Sequence, residues 1–391
     1  MALEYGERID FARLRRVRLE RCLAEMKRDA IDVLLLGRES NARYATGARR
    51  LWTAGVRAWA PGCVVVASTG RAHLLALADE GIPPETGRAG LYAPTWNPLV
   101  LADRVASLSG VATSSRIGVD GMTPLWRDLL SRFAPRAEMV DASAALRRAR
   151  ERKTADEIEC IRTACAIAEN ALGAVAAEVR PGAHEADLAG VFAEACARLG
   201  VTTPGSSASF CATAREGSSG SVPSPCRGFS SRPLEEGDLV ALDGTVLYAG
   251  YEGGAGTTRL CRARARDAGD AASGASAIFE RADALLDALV RAARAGAPPD
   301  ALLRAWKESG EPPPPFPIAH GLGLGVEPPL VGATRDASPG GALAADSVLS
   351  LQSWVWRSGI GGVLGRAVVR ITDESPEVLS RSRSNLPRQS E

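Results

Sequence analysis

Apolar residues recur along this chain in two patterns, one typical of helices and one typical of strands. The alternation of these patterns predicts its secondary structure elements. In the second part of the chain, four stretches have apolar residues at the spacing of an amphipathic helix. The first opens with Thr154 and Glu157, the pattern of a capping box. The predicted helices begin near residues 154, 184, 272 and 300, and the predicted strands lie at 239–242, 246–251 and 348–372. A pair of helices is followed by strands, and this order then repeats. The repeated order favours an antiparallel sheet covered by helices.

The first part of the chain mixes the two periods more closely. Helical spacing is found at residues 10–28 and 125–133, and strand-like runs are found at 32–37, 63–67, 73–77, 117–121 and 139–142. This mixture predicts a layered α/β domain. A charged helical segment at residues 144–153 connects this domain to the second part of the chain. We therefore expect domains at residues 1–150 and 151–380, with a flexible polar tail at 381–391.

Composition narrows the class of protein. The 391 residues are 46% hydrophobic and 24% charged, which is typical of a soluble globular chain with room for two domains. The net charge of +1 argues against a nucleic-acid partner. Neither a signal peptide nor a membrane-spanning run is expected, and the eight cysteines form no CxxC pair. These observations favour a cytoplasmic protein with reduced thiols and no membrane partner.

The residues 237–260 combine strand signals with a single acid. Two apolar runs are joined through Gly244, and Asp243 ends the first of them. A carboxylate at the end of a buried strand is costly unless something pairs with it. From these residues alone, Asp243 is either a turn aspartate or part of a functional site.

The same stretch resembles a known metal-binding strand pair. Gly237-Asp238 through Thr258-Arg259 is similar to the motif of the creatinase, aminopeptidase P and methionine aminopeptidase family. Asp243 matches the first metal-binding aspartate of that motif, and Gly256 stands where the second would be. The order of elements up to residue 150 also resembles the creatinase-type N-terminal domain. The resemblance implies an α/β N-terminal creatinase-like domain, an α+β pita-bread C-terminal domain and a homodimer.

Four further positions match the family's site residues, and three of them carry a different side chain. His320 matches the histidine that binds metal and contacts substrate. Gln352 and Arg366 stand where strands supply metal-binding glutamates, and Cys226 replaces a catalytic-type histidine. The family's second histidine in the His320 segment is missing, with Glu327 or Val326 in its place.

Charge indicates what these replacements mean. The resemblance implies that two aspartates, two glutamates and one histidine would hold two divalent cations. Here the matching residues sum to nearly zero formal charge without any metal, which predicts that neither a metal nor another cofactor is bound. Arg366 could then bond Asp243 in a bidentate fork and fill the place of the metals.

The remaining polar residues supply candidates for chemistry. His320 is the best acid–base candidate, because its ordinary pKa lies near neutrality. Cys226 is either a nucleophile or a small apolar filler, and the usual burial of cysteine favours the filler. The candidate catalytic residues are thus His320, Asp243, Cys226 and Glu327. The candidate substrate-binding residues are Arg259, Arg366, Gln352 and Glu252.

Three functions remain open from the sequence alone. The favoured one is metal-independent hydrolysis or lysis of a C–N bond in a small amino-acid- or peptide-like substrate, since creatinase itself works without metal. The second is a catalytically silent binding protein that keeps the pocket. The third is a metal-dependent Xaa-Pro aminopeptidase or dipeptidase, which requires that the alignment of the last strands is wrong.

Overall fold

The computed structural model divides into two units, Met1–Glu151 and Arg152–Glu391, and each is described by itself. Of the tail predicted from residue 381, only Arg381 is described, and Cys226 also lies outside the described residues. The structure describes residues 8–48, 61–75, 82–86, 90–92, 97–201, 207–217, 222–225, 230–262, 271–312, 314, 316–332 and 341–381.

The first unit is a mixed sheet with helices. Its strands are β1 (Val33–Leu36), β2 (Cys63–Val66), β3 (Arg71–Leu75), β4 (Leu91–Tyr92), β5 (Arg116–Val119) and β6 (Glu138–Asp141). They form one sheet in the order β4-β3-β2-β1-β5-β6, in which β1 pairs antiparallel with β2 and parallel with β5. Its helices are α1 (Phe11–Arg28), α2 (Glu39–Thr46), α3 (Pro98–Ala106), α4 (Pro124–Phe133) and α5 (Ser143–Glu151), with a 3-10 turn at Pro84–Thr86.

Burial explains why the central strands of this sheet read as uninterrupted apolar runs. All four residues of β1 and all four of β2 are buried, as expected for strands covered on both faces. Leu101 and Trp126, from α3 and α4, pack against Val33 and Leu35 of β1. The apolar runs therefore mark the centre of the first core.

The second unit begins with a helix pair and a small antiparallel sheet. The helices are α6 (Ala155–Ala177) and α7 (Glu185–Arg198), and the strands are β7 (Ser207–Ala212), β8 (Leu239–Tyr248) and β9 (Tyr251–Leu260), in that order. The predicted capping box is present, because Thr154 and Glu157 exchange side-chain-to-backbone hydrogen bonds of 3.2 and 2.8 Å. Leu172 and Phe192 from the helices pack on Phe210 and Leu242 from the strands.

A second helix pair covers a larger antiparallel sheet. The helices are α8 (Ala271–Ala292) and α9 (Asp300–Glu308). The strands are β10 (Pro317–Gly323), β11 (Gly325–Gly332), β12 (Val348–Arg357), β13 (Gly361–Arg370) and β14 (Glu377–Arg381), in the order β11-β10-β12-β13-β14. Leu286 and Trp306 belong to the core beneath this sheet, with Leu351 and Trp354. The unit thus has two sheets, where the sequence predicted a single covered sheet.

Side-chain hydroxyls link the two sheets of this unit. Thr258 of β9 accepts a 2.8 Å hydrogen bond from the backbone N–H of Leu364 in β13. Thr213 likewise accepts a 2.9 Å bond from the N–H of Gly362. Both threonines are buried, so these bonds satisfy backbone groups that water cannot reach. They hold β13 against β9 and against the residue that follows β7, which fixes the position of the next residues along β13.

One expectation about membranes needs correction. α6 is long and apolar enough to cross a membrane by length and composition, although the sequence led us to expect no such run. Half of that stretch is buried inside the unit, and a buried core helix passes the same test. Its apolar character is explained by packing on β8 and β9.

Candidate functional site

Strands from both sheets of the second unit direct polar side chains toward one another. Asp243 in β8 and Glu252 in β9 lie on the same face of the smaller sheet, because side chains alternate along paired strands. In the larger sheet, His320 of β10 lies directly opposite Ser350 of β12. Arg366 of β13 bonds to Ser350 and to Asp243, which places residues from the two sheets in one cluster.

Arg366 is the centre of this cluster. It is 2% exposed, and each of its nitrogens is directed at a protein oxygen. Nε donates to Ser350 Oγ at 2.9 Å, and Nη1 donates to Asp243 Oδ1 and Thr245 Oγ1 at 3.0 Å each. Nη2 lies 3.8 Å from Glu252 Oε1. Burial lowers the pKa of Arg366, but the two carboxylates raise it above its ordinary value, so the guanidinium is charged.

The bidentate fork predicted for Arg366 and Asp243 is not observed. Only Nη1 contacts Asp243, and the second edge of the guanidinium is directed elsewhere. Ser350 occupies Nε, and Glu252 lies on the side of Nη2. A bidentate fork to Asp243 would turn the guanidinium away from Ser350 and Glu252. With a single bond to Asp243, the guanidinium keeps four protein neighbours, which are Ser350, Asp243, Thr245 and Glu252.

Two glycines of β9 make room for this arginine. A Cβ atom at Gly254 would lie 2.5 Å from Arg366 Nη1, closer than side-chain atoms can approach. A Cβ atom at Gly256 would lie 2.9 Å from Arg366 Cβ and 3.1 Å from Asp243 Oδ1. Gly256 is the position at which the resemblance implies an aspartate. Arg366 therefore occupies the space that an aspartate side chain at position 256 would need.

His320 is a neutral imidazole in this setting. Burial, and then the charge of Arg366, lower its pKa from 6.5 to about 4. Nε2 is buried and has no hydrogen-bond partner within the described part of the chain. A buried polar atom without a partner costs free energy, so such atoms are few in native proteins. The ring can accept or donate a hydrogen bond but carries no charge at pH 7.

A second cation, which was not among the residues predicted from the sequence, joins the site. Lys153 Nζ donates a 2.8 Å bond to Glu327 Oε2, and the two side chains are 3% and 11% exposed. Burial raises the pKa of Glu252, Arg366 lowers it, and Asp243 and then Glu327 raise it further, so Glu327 lies close enough to Glu252 to interact with it electrostatically. The sequence pattern around Lys153 indicates only a charged connection. The chain has just three lysines, and this rarity was the available signal.

The remaining predicted site residues are placed less centrally. Gln352 lies opposite Arg366 in the pairing of β12 with β13, so their side chains project from the same face. Arg259 alternates with Thr258 along β9 and thus lies on the face away from Gly256. Burial lowers the pKa of Arg259. Cys226 lies outside the described residues, and its predicted place in the site stays a prediction.

Comparison with known proteins identifies the family. Residues 159–374 match the profile described as Metallopeptidase family M24, and residues 18–152 match the Creatinase/Prolidase N-terminal domain. The chain belongs to metallopeptidase family M24. The resemblance seen in the sequence is confirmed, and so is the fold class of a creatinase-like domain followed by a pita-bread domain. No match was found among curated proteins.

Solved structures share this M24 fold at low sequence identity. Dipeptidase PepE from Mycobacterium ulcerans is 22% identical with a TM-score of 0.72, and the match covers 97% of this chain and 99% of that one. The prolidase from Pyrococcus horikoshii OT3 is 18% identical with a TM-score of 0.72, covering 94% and 99%. The Xaa-Pro dipeptidase from Bacillus anthracis is 20% identical with a TM-score of 0.71, covering 94% and 98%.

The residues at the family's metal positions do not fit two divalent cations. Of the five implied ligands, Asp243 and His320 are kept, while Gly256 and Gln352 offer no charge. Among the described residues, no group of three or more His, Cys, Asp or Glu side chains has the arrangement of a metal site. Arg366 lies against Asp243, where a guanidinium and a divalent cation would repel each other strongly.

Proposed function

We propose that this M24 protein is a metal-independent enzyme that cleaves a C–N bond in a small amino-acid- or peptide-like molecule. The observation that carries the proposal is the buried ion pair of Arg366 with Asp243. It supplies a fixed positive charge where the resemblance implies metal ions. The similarity to proteins named prolidase and Xaa-Pro dipeptidase supports dipeptides ending in proline as the first substrates to test.

His320 is the proposed proton carrier. Hydrolysis adds one water across the bond, with the hydroxyl going to carbon and a proton going to the leaving nitrogen. His320 accepts the proton from water and returns it to that nitrogen, which is the usual cycle of a general acid–base. Asp243 holds Arg366, and Glu252 lies beside it as a second carboxylate with a raised pKa, mainly through burial. Cys226 and Glu327 remain proposed participants.

A second candidate function is binding without turnover. Two observations favour it: a pKa of about 4 makes His320 a weak base, and its Nε2 atom is shielded from solvent. The third candidate, a metal-dependent Xaa-Pro peptidase, is favoured by the family to which the chain belongs. Turnover measured both without and with added metal separates all three.

The experiment uses the full chain after treatment with a chelator. Glycyl-proline, prolinamide and guanidinoacetate are incubated with it, and released products are measured by mass spectrometry, with and without added Mn²⁺. We expect turnover that His320→Gln abolishes and that His73→Gln, in the first unit, leaves unchanged. Binding without product would favour the silent protein. Turnover that appears only with Mn²⁺ would favour the metallopeptidase and contradict the proposal.

The proposal includes a cytoplasmic homodimer. Among the described residues, Cys63, Cys165, Cys196 and Cys261 are buried thiols, which supports a reducing compartment. The dimer rests on the family resemblance alone, and light scattering of the purified protein would test it.

A further inference from the structure

The site has one carboxylate whose hydrogen-bonding capacity is unused. Glu252 is 13% exposed at its side chain, yet it accepts no hydrogen bond from any residue that the structure describes. Its nearest cation is Arg366, whose Nη2 atom lies 3.8 Å away, beyond hydrogen-bonding distance. The other two carboxylates hold short ion pairs, Asp243 with Arg366 at 3.0 Å and Glu327 with Lys153 at 2.8 Å. Glu252 therefore differs from both in lacking a close donor.

Arg366 cannot turn to serve Glu252 without losing other bonds. Its Nε and Nη1 atoms are held by Ser350, Asp243 and Thr245 at 2.9 to 3.0 Å. Its guanidinium also lies against the backbone at Gly254, where even a Cβ atom would not fit. The arginine is fixed by these contacts, so the missing donor for Glu252 has to come from outside the cluster.

The charges of the cluster lead to the same conclusion. Three carboxylates, those of Asp243, Glu252 and Glu327, face two cations, Arg366 and Lys153. Counted with Glu252 ionised and without the imidazole of His320, the described side chains of the cluster carry one formal negative charge in excess, in a place where burial makes an unbalanced charge costly. A bound ligand with one positive charge would balance it.

We infer that Glu252 determines specificity by binding a protonated nitrogen of the ligand, an amine or a guanidinium group. This inference rests on the proposed function and names the substrate class of the same site. The Nε and Nη1 donors of Arg366 already bond Ser350, Asp243 and Thr245, so these donors do not anchor a ligand carboxylate. The first contact with the ligand is therefore through its cation, a charge-assisted hydrogen bond to Glu252.

Two probes test this inference, one with a cationic amine and one in which the same amine is acetylated and therefore neutral. L-Prolinamide carries a protonated amine at neutral pH, and N-acetyl-L-prolinamide is neutral. Their binding to the metal-stripped full chain is measured by titration calorimetry. Because a hydrogen bond to a charged group is worth about tenfold or more in affinity, we expect prolinamide to bind at least about tenfold more tightly. Glu252→Gln should remove this preference.

The control is Glu377→Gln, which removes a carboxylate paired with Arg162 and Arg370 elsewhere in the unit. It should leave the preference unchanged, and thermal melts of both variants check that they fold. If both probes bind the parent protein equally, the inference is wrong while the proposed function stands. If neither probe binds and no C–N substrate is turned over, the inference and the proposed function both fail.

Discussion

Two buried ion clusters in the second unit have opposite compositions. Around Glu311, one carboxylate that is 1% exposed accepts bonds from two arginines at the surface, Arg281 at 2.6 Å and Arg357 at 2.8 and 2.9 Å. Around Arg366, one buried guanidinium faces two carboxylates, one at 3.0 Å and one at 3.8 Å. The first cluster joins α8, the segment after α9 and β12, whereas the second lies between two sheets.

The difference in hydrogen bonding distinguishes a cluster that only stabilises the fold from a cluster that can bind a ligand. Both oxygens of Glu311 are bonded, and its cations reach water, so little remains for a ligand to do. In the Arg366 cluster, a glutamate and a buried imidazole nitrogen keep capacity that no described residue uses. Proteins retain buried polar groups without partners, which lower stability, where function requires them. Mutations in the two clusters should therefore have different effects on stability.

The largest expected effect is from reversing the central charge. Arg366→Glu would place three carboxylates around His320 without a counter-charge from β13. We expect a loss of about 3–5 kcal/mol in the free energy of unfolding, as for breaking a buried pair. Arg366→Gln should cost less, about 1–3 kcal/mol, because it adds no charge and leaves Asp243 partly hydrated. Denaturant unfolding monitored by circular dichroism measures both.

A double-mutant cycle then tests whether Asp243 and Arg366 act as a pair. Asp243→Asn should destabilise alone, and combined with Arg366→Gln it should recover part of the loss. We expect a coupling energy of about 0.5–3 kcal/mol, the range for residues in contact. Strictly additive losses would contradict the placement of Arg366 beside Asp243.

The space beside the guanidinium provides the next test. Gly254→Ala would place a methyl group against Arg366, and overpacking of this kind costs about 1–3 kcal/mol. Gly173→Ala is the matched control, because it lies in α6 with nothing within 4 Å of the new Cβ atom. Alanine is the better helix former there, so the control should gain about 0.5–1 kcal/mol. Equal effects of the two variants in denaturant unfolding would mean that Arg366 does not occupy this space.

Neutralising one carboxylate in each cluster should change the free energy of unfolding in opposite directions. Burial raises the pKa of Glu311, but bonds from Arg357 and Arg281 lower it below 4.5 in total. Its charged form therefore stabilises the fold above the ordinary glutamate pKa, and this contribution is lost as the pH falls through the folded pKa. Glu311→Gln should cost about 1.5–3 kcal/mol at pH 7 and flatten the acid limb of a stability profile.

Glu252→Gln should do the reverse. Burial raises the pKa of Glu252 more than Arg366 lowers it, so the charged form is disfavoured by folding at neutral pH. The glutamine variant should be as stable as the parent at pH 7, or more stable. A clear loss of stability in denaturant unfolding at pH 7 would mean that Glu252 stabilises the fold in the way that Glu311 does.

The last effect concerns the imidazole. Proton NMR should show His320 titrating near pH 4, and spectra are simple because the chain has three histidines. The unfolded side chain takes up its proton near pH 6.5, so the fold loses stability as the pH falls from 6.5 toward 4. Arg366→Gln should raise the pKa of His320, because Arg366 is the second cause of the shift after burial. An unchanged pKa would mean that the two groups are far apart.

Much of the fold could be predicted because local signals agreed with the tertiary structure. The Thr154–Glu157 capping box marks the start of α6 in the sequence, and the fully apolar run at residues 33–36 marks β1. The helix α2 could not be predicted in this way, because Asn41 and Arg43 give it a polar sequence although both are buried. The strand β7 was missed for a similar reason, since Ser207–Ala212 consists mainly of small residues whose burial depends on α7 and β8.

The site was accessible from sequence only where a family motif marked it. Asp243, His320 and Arg366 could be placed from such motifs, and the structure brings Asp243 and Arg366 into contact. The role of Gly254 could not be predicted, because it depends on how closely β13 approaches β9. The ion pair of Lys153 with Glu327 joins residues 174 positions apart, and nothing local to either one indicates the other.

The central claim is that Arg366 supplies the positive charge in place of metal ions. Elemental analysis of the purified protein, followed by thermal melts with Mn²⁺, Co²⁺, Zn²⁺ and Fe²⁺, tests it most directly. We predict substoichiometric metal and no rise in melting temperature, because a cation that does not bind the native state cannot stabilise it. About two bound ions per chain, with a melting temperature that rises as they are added, would contradict the account and favour a dinuclear metallopeptidase.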